Sequence, residues 1–194
     1  SLGTSGTVFI SSKQFGMDPN NALHAFAHAD GGWHLMGCML SAASCNKWLC
    51  DDILKTTDYA AEQRDITPEK LGRNHVYFLP YLMGERSPIN DTNARGTFIG
   101  MTMDTSRSDL VQAVLEGVAF AIRDSLEVAR SLGLDIPSTK ICGGGSKSPL
   151  WRTIFANVLG IPLELLKTEQ GPGYGGAMLA MVGCGRYESV QAAA

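Results

Sequence analysis

The chain has 194 residues, of which 44% are hydrophobic and 18% are charged, and its formal net charge is −3. This composition is ordinary for one globular domain, which at this length buries roughly 70% of the surface that its unfolded chain exposes. The weakly acidic balance argues against nucleic acid and anionic membranes as partners.

The cysteines and the apolar runs bear on the cellular compartment. The 5 cysteines form no C-x-x-C pair, and their odd number does not suit a disulfide framework. We therefore expect a reducing cytoplasm. No apolar run approaches the ~20 residues of a membrane span, and the first residues lack the pattern of a secretory leader. The cysteines are interpreted as small buried apolar residues, not as nucleophiles.

The first half of the chain predicts mainly short strands. Residues 2–12 resemble a hairpin, because β-branched and aromatic residues follow a Gly-Thr-Ser-Gly turn. An antiparallel pair is predicted at residues 23–28 and 33–39, around the turn residues Asp30 and Gly31. The elements predicted next are a helix at 41–54, a short helix with a loop at 65–73, a buried strand at 75–79 and an irregular segment at 80–94.

The second half predicts longer helices that alternate with strands. A strand through Gly100 leads into residues 109–132, where apolar residues recur with helical spacing. Ser106 or Ser108 is expected to cap this helix, which should end near Gly133. The remaining predictions are a strand at 140–142, a helix at 149–159, a strand at 163–166 and a helix at 175–182. This order suits an α/β fold in which a mixed sheet has helices on both faces.

The Gly-Thr-Ser-Gly turn near the start combines two hydroxyl groups with accessible backbone amides. Gly3, Thr4, Ser5 and Gly6 can wrap an anionic oxygen, with the amides donating and the hydroxyls adding contacts. A hairpin turn that uses glycine only for its backbone conformation explains the same residues, and the motif alone favours that interpretation. The serine is not in a G-x-S-x-G elbow, which argues against a hydrolase nucleophile.

A second glycine-rich turn, ICGGGSKS, lies at residues 141–148 between a predicted strand and a predicted helix. Backbone can approach a ligand closely there, and a helix N-terminus favours anions. The turn is not a P-loop, because Ser146 precedes Lys147 where a P-loop has glycine, and it lacks the third glycine of a dinucleotide fingerprint. The competing interpretation is an ordinary strand-to-helix turn. Asn157 could reach the same ligand, or it could have only a surface or packing role.

Residues 171–176, GPGYGG, match G-x-G-x-x-G literally, yet their setting argues against dinucleotide binding. Pro172 lies inside the motif, the predicted strand ends several residues earlier, and no acidic residue follows ~20 residues later. We interpret the segment as a turn that brings the last helix close to the sheet.

Other polar residues receive no catalytic role. Glu85 and Arg86 form a charged pair in an apolar neighbourhood, which fits a structural ion pair. Three histidines lie near Asp30 in the predicted strand pair: His24, His28 and His34. A metal site is one interpretation, but ordinary cross-strand residues explain this spacing better.

Four segments, in this order, resemble the FGGY family of carbohydrate kinases, which belongs to the actin-like ATPase superfamily. They are SLGTSGTVFIS, YFLPYLMGERSP, GTFIGMTMDTSRSDLVQAVLE and ICGGGSKSPLWRTIFANVLGIPLEL, and together they extend over nearly the whole chain. The third is similar to the second signature of the family. The resemblance implies an actin-like, ribonuclease H-like lobe. Segments HLMGCMLSAASCNKW and FLPYLMGERSP most resemble the members that phosphorylate D-xylulose.

The resemblance also implies roles for the two turns. Thr4 and Ser5 would contact the terminal phosphates of ATP or ADP, and Gly144, Gly145 and Ser148 would lie beside the ribose and the α-phosphate. The full set of expected nucleotide-binding residues is Gly3, Thr4, Ser5, Gly6, Gly143, Gly144, Gly145, Ser148 and Asn157. Mg²⁺ would accompany the nucleotide. Near the cleft between lobes, Arg86 would orient a phosphate or bridge the lobes.

As a member of this family, the chain is expected to be a single domain over residues 1–194. It would be the C-terminal, nucleotide-binding lobe of a two-lobe sugar kinase, cut short at its end, with the N-terminal lobe as its partner. Phosphoryl transfer needs a base, and the family's base Asp lies upstream of the first turn, so we expect it before Ser1 and assign no catalytic residue. This chain alone should therefore be inactive.

Two other functions stay open at this point. Other members of the family act on glycerol, gluconate, ribulose or fuculose, and their nucleotide turns would look the same. A non-catalytic interaction domain on the same scaffold is the second alternative. The sequence leaves open whether the intact protein is a homodimer.

Overall fold

The computed structural model describes residues 1–167 and 171–194, whose strands form three small sheets. The first sheet is antiparallel, with the order β1-β3-β2, and consists of β1 (Gly6–Ser12), β2 (His24–Ala27) and β3 (Trp33–Met39). The second pairs β4 (Tyr77–Leu79) with β5 (Thr97–Ile99) in antiparallel fashion. The third pairs β6 (Thr139–Ile141) with β7 (Leu163–Leu165) in parallel.

The described part of the chain has six α-helices: α1 (Ala43–Lys47), α2 (Tyr59–Gln63), α3 (Arg107–Ser131), α4 (Pro149–Leu159), α5 (Gly171–Gly183) and α6 (Val190–Ala193). A π-helical segment, Trp48–Ile53, continues α1, and short 3₁₀ turns occur at Pro68–Lys70 and Gly144–Lys147. None of the described helices is both long enough and apolar enough to cross a membrane.

Helix α3 is the centre of the core. It begins with a capping box, in which the Ser106 hydroxyl accepts from the Asp109 amide at 3.2 Å and the Asp109 carboxylate accepts from the Ser106 amide at 2.8 Å. Ser106 rather than Ser108 is thus the cap. Its apolar face is buried against β4 and α4. The Trp151 indole of α4 donates to the Leu115 carbonyl at 2.9 Å, which ties the two helices together.

Leu2 connects two of the sheets. Its amide donates to the Cys142 carbonyl at 2.7 Å, next to β6, and its carbonyl accepts from the Gly145 amide at 3.0 Å. Leu2 also forms an antiparallel bridge with Gly6, the first residue of β1. The hairpin predicted at residues 2–12 is therefore corrected. Only β1 is a strand, and the single bridge between Leu2 and Gly6 stands where the other strand was expected. Through Leu2 the antiparallel and parallel strands form a mixed arrangement.

Several predicted boundaries need correction. The strand expected through Gly100 ends at Ile99, because Gly100 turns the chain with φ of 87°. Helix α2 was not predicted, and it is capped by Asp58, whose carboxylate accepts from the Ala61 amide at 2.9 Å. The predicted turn at residues 171–176 is wrong, since α5 begins at Gly171. A proline in the first helical turn lacks only an amide that would have no intrahelical partner, so Pro172 does not prevent the helix.

The expectation that the last helix packs closely on the sheet is also wrong for the described residues. None of the α5 residues is buried, and Tyr174 and Leu179 are exposed.

Candidate functional site

The two glycine-rich turns meet at one cleft of about 900 Å³. The first turn contributes Gly3 and Thr4 to its lining, and the second contributes Gly144, Gly145 and Ser148. Five of the nine predicted binding residues therefore lie together, although they come from opposite ends of the chain.

The other four predicted residues do not line the cleft. Ser5 is exposed next to Thr4, and Gly143 directly precedes the helical residues of the second turn. Gly6 is buried at the start of β1, where an added Cβ would lie 2.7 Å from Met39 Cγ, so glycine is needed there for packing. Asn157 is exposed on α4 outside the cleft lining, and its contact with a ligand stays a prediction.

The backbone of the first turn caps the N-terminus of α1. The Gly3 carbonyl accepts from the Ala43 amide at 2.9 Å, and the Thr4 carbonyl accepts from the Ala42 amide at 2.9 Å. The Ser44 hydroxyl also donates to the Thr4 carbonyl, at 2.8 Å. The first amides of a helix lack intrahelical acceptors, so these bonds hold the turn in place without using its side chains. Among the described residues, neither the Thr4 nor the Ser5 hydroxyl has a hydrogen-bond partner, and both residues are exposed.

The second turn has a packed side and an open side. A Cβ at Gly143 (φ of 97°) would lie 2.7 Å from the Leu2 carbonyl oxygen, and one at Gly145 would lie 2.6 Å from Leu2 Cδ2. These two glycines allow Leu2 to pass close to the turn. Gly144 differs, because a Cβ there would meet no described atom within 4 Å. A ligand can therefore approach the backbone at Gly144.

Ser148 both caps helix α4 and lines the cleft. Its hydroxyl accepts from the Trp151 amide at 3.2 Å, which caps α4, and donates to the Gln63 Oε1 at 2.6 Å. Gln63 is the last residue of α2 and also lines the cleft. The Ser148 hydroxyl thus joins α2 to α4 within the lining of the cleft.

Two lysines line the cleft in different electrostatic settings. Lys47 forms an ion pair with Asp51, whose Oδ1 also accepts from the Tyr59 hydroxyl at 2.8 Å. The hydrogen bond that the Lys47 ammonium donates to the Asp51 carboxylate raises the pKa of Lys47. Lys147 is exposed, and no carboxylate in the described part of the chain forms an ion pair with it. The second turn therefore adds a positive charge that is not neutralised by a neighbour.

Residues 1–184 match the FGGY family of carbohydrate kinases, C-terminal domain. The chain belongs to this family. It is 40% identical over 188 residues to the xylulose kinase of Escherichia coli (strain K12), covering 94% of this chain and 38% of that protein. The FGGY chain therefore spans about two fifths of the length of the curated relatives that it matches.

Solved structures agree with this assignment. A xyloylose kinase from Brucella ovis superposes with a TM-score of 0.90 at 40% identity, covering 99% of this chain and 40% of that one. The ligand-bound xylulose kinase from Lactobacillus acidophilus gives a TM-score of 0.86 at 28% identity, covering 97% and 39%. These neighbours have the actin-like ATPase fold, so the predicted fold class is confirmed.

Sequence reasoning missed several residues of the cleft in this FGGY domain, among them Gln63, Tyr59 and Lys147. Gln63 and Tyr59 belong to α2, which was not predicted, and the hydrogen bond that Ser148 donates to Gln63 spans 85 positions. Lys147 was considered only as a P-loop lysine, and rejection of that motif removed it from the candidates. Its place inside a glycine-rich turn was the available signal.

The lining of the cleft offers few ligands for a metal ion. Asp58 is a carboxylate in its lining, and that group is already used as the cap of α2. Within the described ranges, no three His, Cys, Asp or Glu side chains group as metal ligands. Protein sites for Mg²⁺ use carboxylate oxygens, so we assign no magnesium ligand in this chain.

Glu85 and Arg86 do not form the predicted ion pair in the described structure. The Glu85 Oε1 accepts from the backbone amides of Leu40 at 2.9 Å and Arg86 at 2.7 Å, while the Arg86 side chain is exposed. Glu85 is buried, and its Oε2 has no partner among the described atoms. Burial raises the pKa of this carboxyl.

His28 and His34 form an aromatic cluster with Phe9 on the first sheet. His34 stacks on Phe9 with ring centroids 4.1 Å apart, and His28 Nδ1 lies 2.6 Å from Asp30 Oδ1.

The cysteines are all free, and not all of them match the expectation of burial. Burial raises the pKa of Cys45 to about 12 and that of Cys50 to about 11, which leaves both thiols protonated near neutral pH. Cys184 is exposed, contrary to the prediction.

Proposed function

We propose that this chain is the C-terminal, nucleotide-binding lobe of an ATP-dependent kinase that phosphorylates D-xylulose to D-xylulose 5-phosphate. The observation that carries the proposal is the cleft that Thr4 and Gly144 line together. The Thr4 hydroxyl has no partner in the described chain, and the backbone at Gly144 is open. Relatives from Escherichia coli and Klebsiella pneumoniae named xylulose kinase, at 40% and 39% identity, support D-xylulose as the sugar.

The residues of the cleft suit different parts of ATP or ADP. The hydroxyls of Thr4 and Ser5 would donate to the terminal phosphates, and the open backbone at Gly144 would admit the α-phosphate and ribose. Lys147 would add a positive charge, and the N-terminus of α4 above Ser148 favours an anion. When bound, ATP supplies the phosphoryl group and Mg²⁺ neutralises part of its charge.

The proposal also assigns different roles to the two lobes. Residues 1–194 would form one lobe, and an N-terminal lobe of the same protein would supply the general base and most contacts to the sugar. We place the intact enzyme in the cytoplasm, where the 5 free cysteines of this chain would stay reduced.

Binding of magnesium-ADP to this chain tests the nucleotide half of the proposal. At 100 times its dissociation constant, a ligand stabilises the fold by about 2.7 kcal/mol, which for this size raises Tm by roughly 5–11 °C. The variant Gly144→Val should keep the Tm of the unliganded protein and lose this shift, because the added side chain occupies the open approach to the backbone.

Gly16→Val is the matched control. Gly16 is also open, with no described atom within 4 Å of an added Cβ, and it does not line the cleft. Its magnesium-ADP shift should equal that of the unchanged protein. An undiminished shift in Gly144→Val would contradict the role of the second turn. No shift in any of the three proteins would mean either that binding needs the N-terminal lobe or that the chain is a non-catalytic domain on this scaffold.

The substrate and the inactivity of the single lobe need separate assays. This chain with ATP, Mg²⁺ and D-xylulose should give no turnover, and appreciable activity would overturn the two-lobe proposal.

For the intact protein, kcat/KM should be highest for D-xylulose in a panel with glycerol, gluconate, ribulose and fuculose. A higher kcat/KM for another compound of the panel would make that compound the substrate, and it would leave the proposed nucleotide site unaffected.

A further inference from the structure

Glu85 is a buried carboxyl group with no part in the proposed nucleotide contacts. It is 2% exposed, and no cation forms an ion pair with it in the described part of the chain. Burial raises the pKa of this carboxyl by more than its hydrogen bonds from backbone amides lower it, so the place is unfavourable for a charged group. What the carboxyl contributes to the described structure is the attachment of the two backbone segments that donate to its Oε1.

One of these segments is the connection between β3 and α1. The Leu40 amide donates to Glu85 Oε1 at 2.9 Å, and Leu40 directly follows β3. The two residues are 45 positions apart, so this contact exists only in the folded chain. Ser41, the next residue, is buried, and its carbonyl accepts from the Cys45 thiol at 3.3 Å. The connection is therefore held at its first residue by the Glu85 side chain.

The same connection holds the first glycine-rich turn. The Thr4 carbonyl accepts from the Ala42 amide at 2.9 Å and from the Ser44 amide at 3.3 Å, and the Gly3 carbonyl accepts from the Ala43 amide at 2.9 Å. The position of the turn thus depends on where residues 42–44 lie. Two residues of chain span at most about 7 Å, so a displacement at residue 40 reaches the turn over a short distance.

Two further hydrogen bonds keep the segment of Glu85 beside this connection. The Ser87 amide donates to the Cys38 carbonyl at 3.0 Å, and the Cys45 thiol donates to the Pro80 carbonyl at 3.5 Å. Residues 80–87 are therefore attached to the end of β3 and to α1, on both sides of residue 40. Of these three bonds, the one from residue 40 is made to a side chain of the segment, so a substitution can remove it directly.

We propose that Glu85 is a positioning residue for the nucleotide, because its carboxyl holds the connection from Leu40 to Ser44, which in turn holds the turn of Thr4. This inference rests on the function proposed above for that turn. The structural bonds of Thr4 use its carbonyl, which leaves its hydroxyl for the ligand. Loss of the acceptor at Glu85 releases the Leu40 amide and displaces Thr4, although every group that contacts the nucleotide is still present.

Amide hydrogen exchange and titration with magnesium-ADP test this inference on two Glu85 variants. Glu85→Met removes the acceptor and keeps an unbranched side chain of similar length. The amides of Ala42 and Ala43 should exchange about tenfold faster or more, and the Kd of magnesium-ADP should rise about tenfold. Glu85→Gln keeps an oxygen that can accept from both amides, so exchange and Kd should stay within about twofold of the unchanged chain.

Asp18→Leu is the matched control. Asp18 is also 2% exposed, and its carboxylate also accepts from backbone amides, those of Ala22 at 2.7 Å and Leu23 at 3.0 Å. These amides precede β2, and Asp18 does not line the cleft. The variant should lose stability in urea unfolding and keep the affinity for magnesium-ADP. A rise in Kd equal to that of Glu85→Met would reduce the effect to general destabilisation and overturn the inference.

Glu85→Asp replaces Glu85→Met if circular dichroism shows that the latter does not fold, because the shorter side chain withdraws the acceptor from Leu40. Unchanged exchange of Ala42 and Ala43 in the folded variant would overturn the attachment of the turn. Faster exchange with undiminished affinity would overturn the effect on the nucleotide. If the unchanged chain binds no magnesium-ADP, that failure concerns the proposed function, and the exchange rates still decide whether Glu85 holds the turn.

Discussion

Gly144 and Gly145 follow one another in the second turn, yet they lie in different surroundings. A Cβ at Gly145 would lie 2.6 Å from Leu2 Cδ2, whereas a Cβ at Gly144 would meet nothing within 4 Å. The first turn has the same division, with buried Gly6 on its core side and exposed Thr4 on its cleft side. In both turns, therefore, one set of positions maintains the fold and another is free to contact a ligand.

The largest loss of stability among these variants is expected for Gly145→Ala, on the core side of the second turn. The added methyl group would overlap Leu2 and approach Trp151 Cζ3 at 3.0 Å, so the core must shift. Overpacking of this kind costs about 1–3 kcal/mol, which urea unfolding would measure. Gly144→Ala is the matched control and should change the free energy of unfolding by less than about 0.5 kcal/mol. Equal losses in the two variants would contradict the division between the sides.

An intermediate loss of stability is expected for Ser148→Ala, because Ser148 both holds the fold together and lines the cleft. The variant loses the cap of α4 and the bond to Gln63, and loss of a cap costs about 0.5–2 kcal/mol. Ser148→Asp should recover most of this stability, since aspartate also caps helices. Its negative charge should nevertheless weaken binding of ADP, which calorimetry would detect. If both variants lost stability equally, the cap would not be the source of the loss.

The extent to which the sequence predicted the structure depended on how local the determining contacts are. Helix α4 was predicted with its observed bounds, because Ser148, Pro149 and Gly160 mark its two ends within the segment itself. Helix α2 was missed because its few residues offer no apolar periodicity. The start of α5 was predicted wrongly because glycine and proline suggest a turn, although the first turn of a helix tolerates proline.

The candidate site was predicted unevenly for the same reason. The two turns were recognised from their residues and from the family resemblance. The sequence Gly-Gly-Gly, however, does not show that Gly144 is open and Gly145 is packed. That difference depends on Leu2, which is distant in sequence and crosses the turn only in the folded chain. The contact of Gln63 with Ser148 is equally non-local.

The smallest effect on stability is expected on the cleft side, for Thr4→Val. Thr4 holds the turn to α1 through its backbone carbonyl, and its hydroxyl has no partner in the described chain, so the free energy of unfolding should change by less than about 0.5 kcal/mol. Under the proposed function, the lost hydrogen bond to a charged phosphate costs about 1.5–3 kcal/mol, which weakens binding of magnesium-ADP roughly 10- to 150-fold.

Thr7→Val makes the same chemical change three residues later, on β1 and outside the lining of the cleft, and it should leave this affinity unchanged. An affinity that Thr4→Val does not alter would remove the Thr4 hydroxyl from the phosphate site. A loss of stability as large as that of Gly145→Ala would instead place Thr4 with the core side. Because the two threonine variants differ only in position, calorimetric titration and urea unfolding of both separate a contact with the ligand from a general effect of removing a hydroxyl.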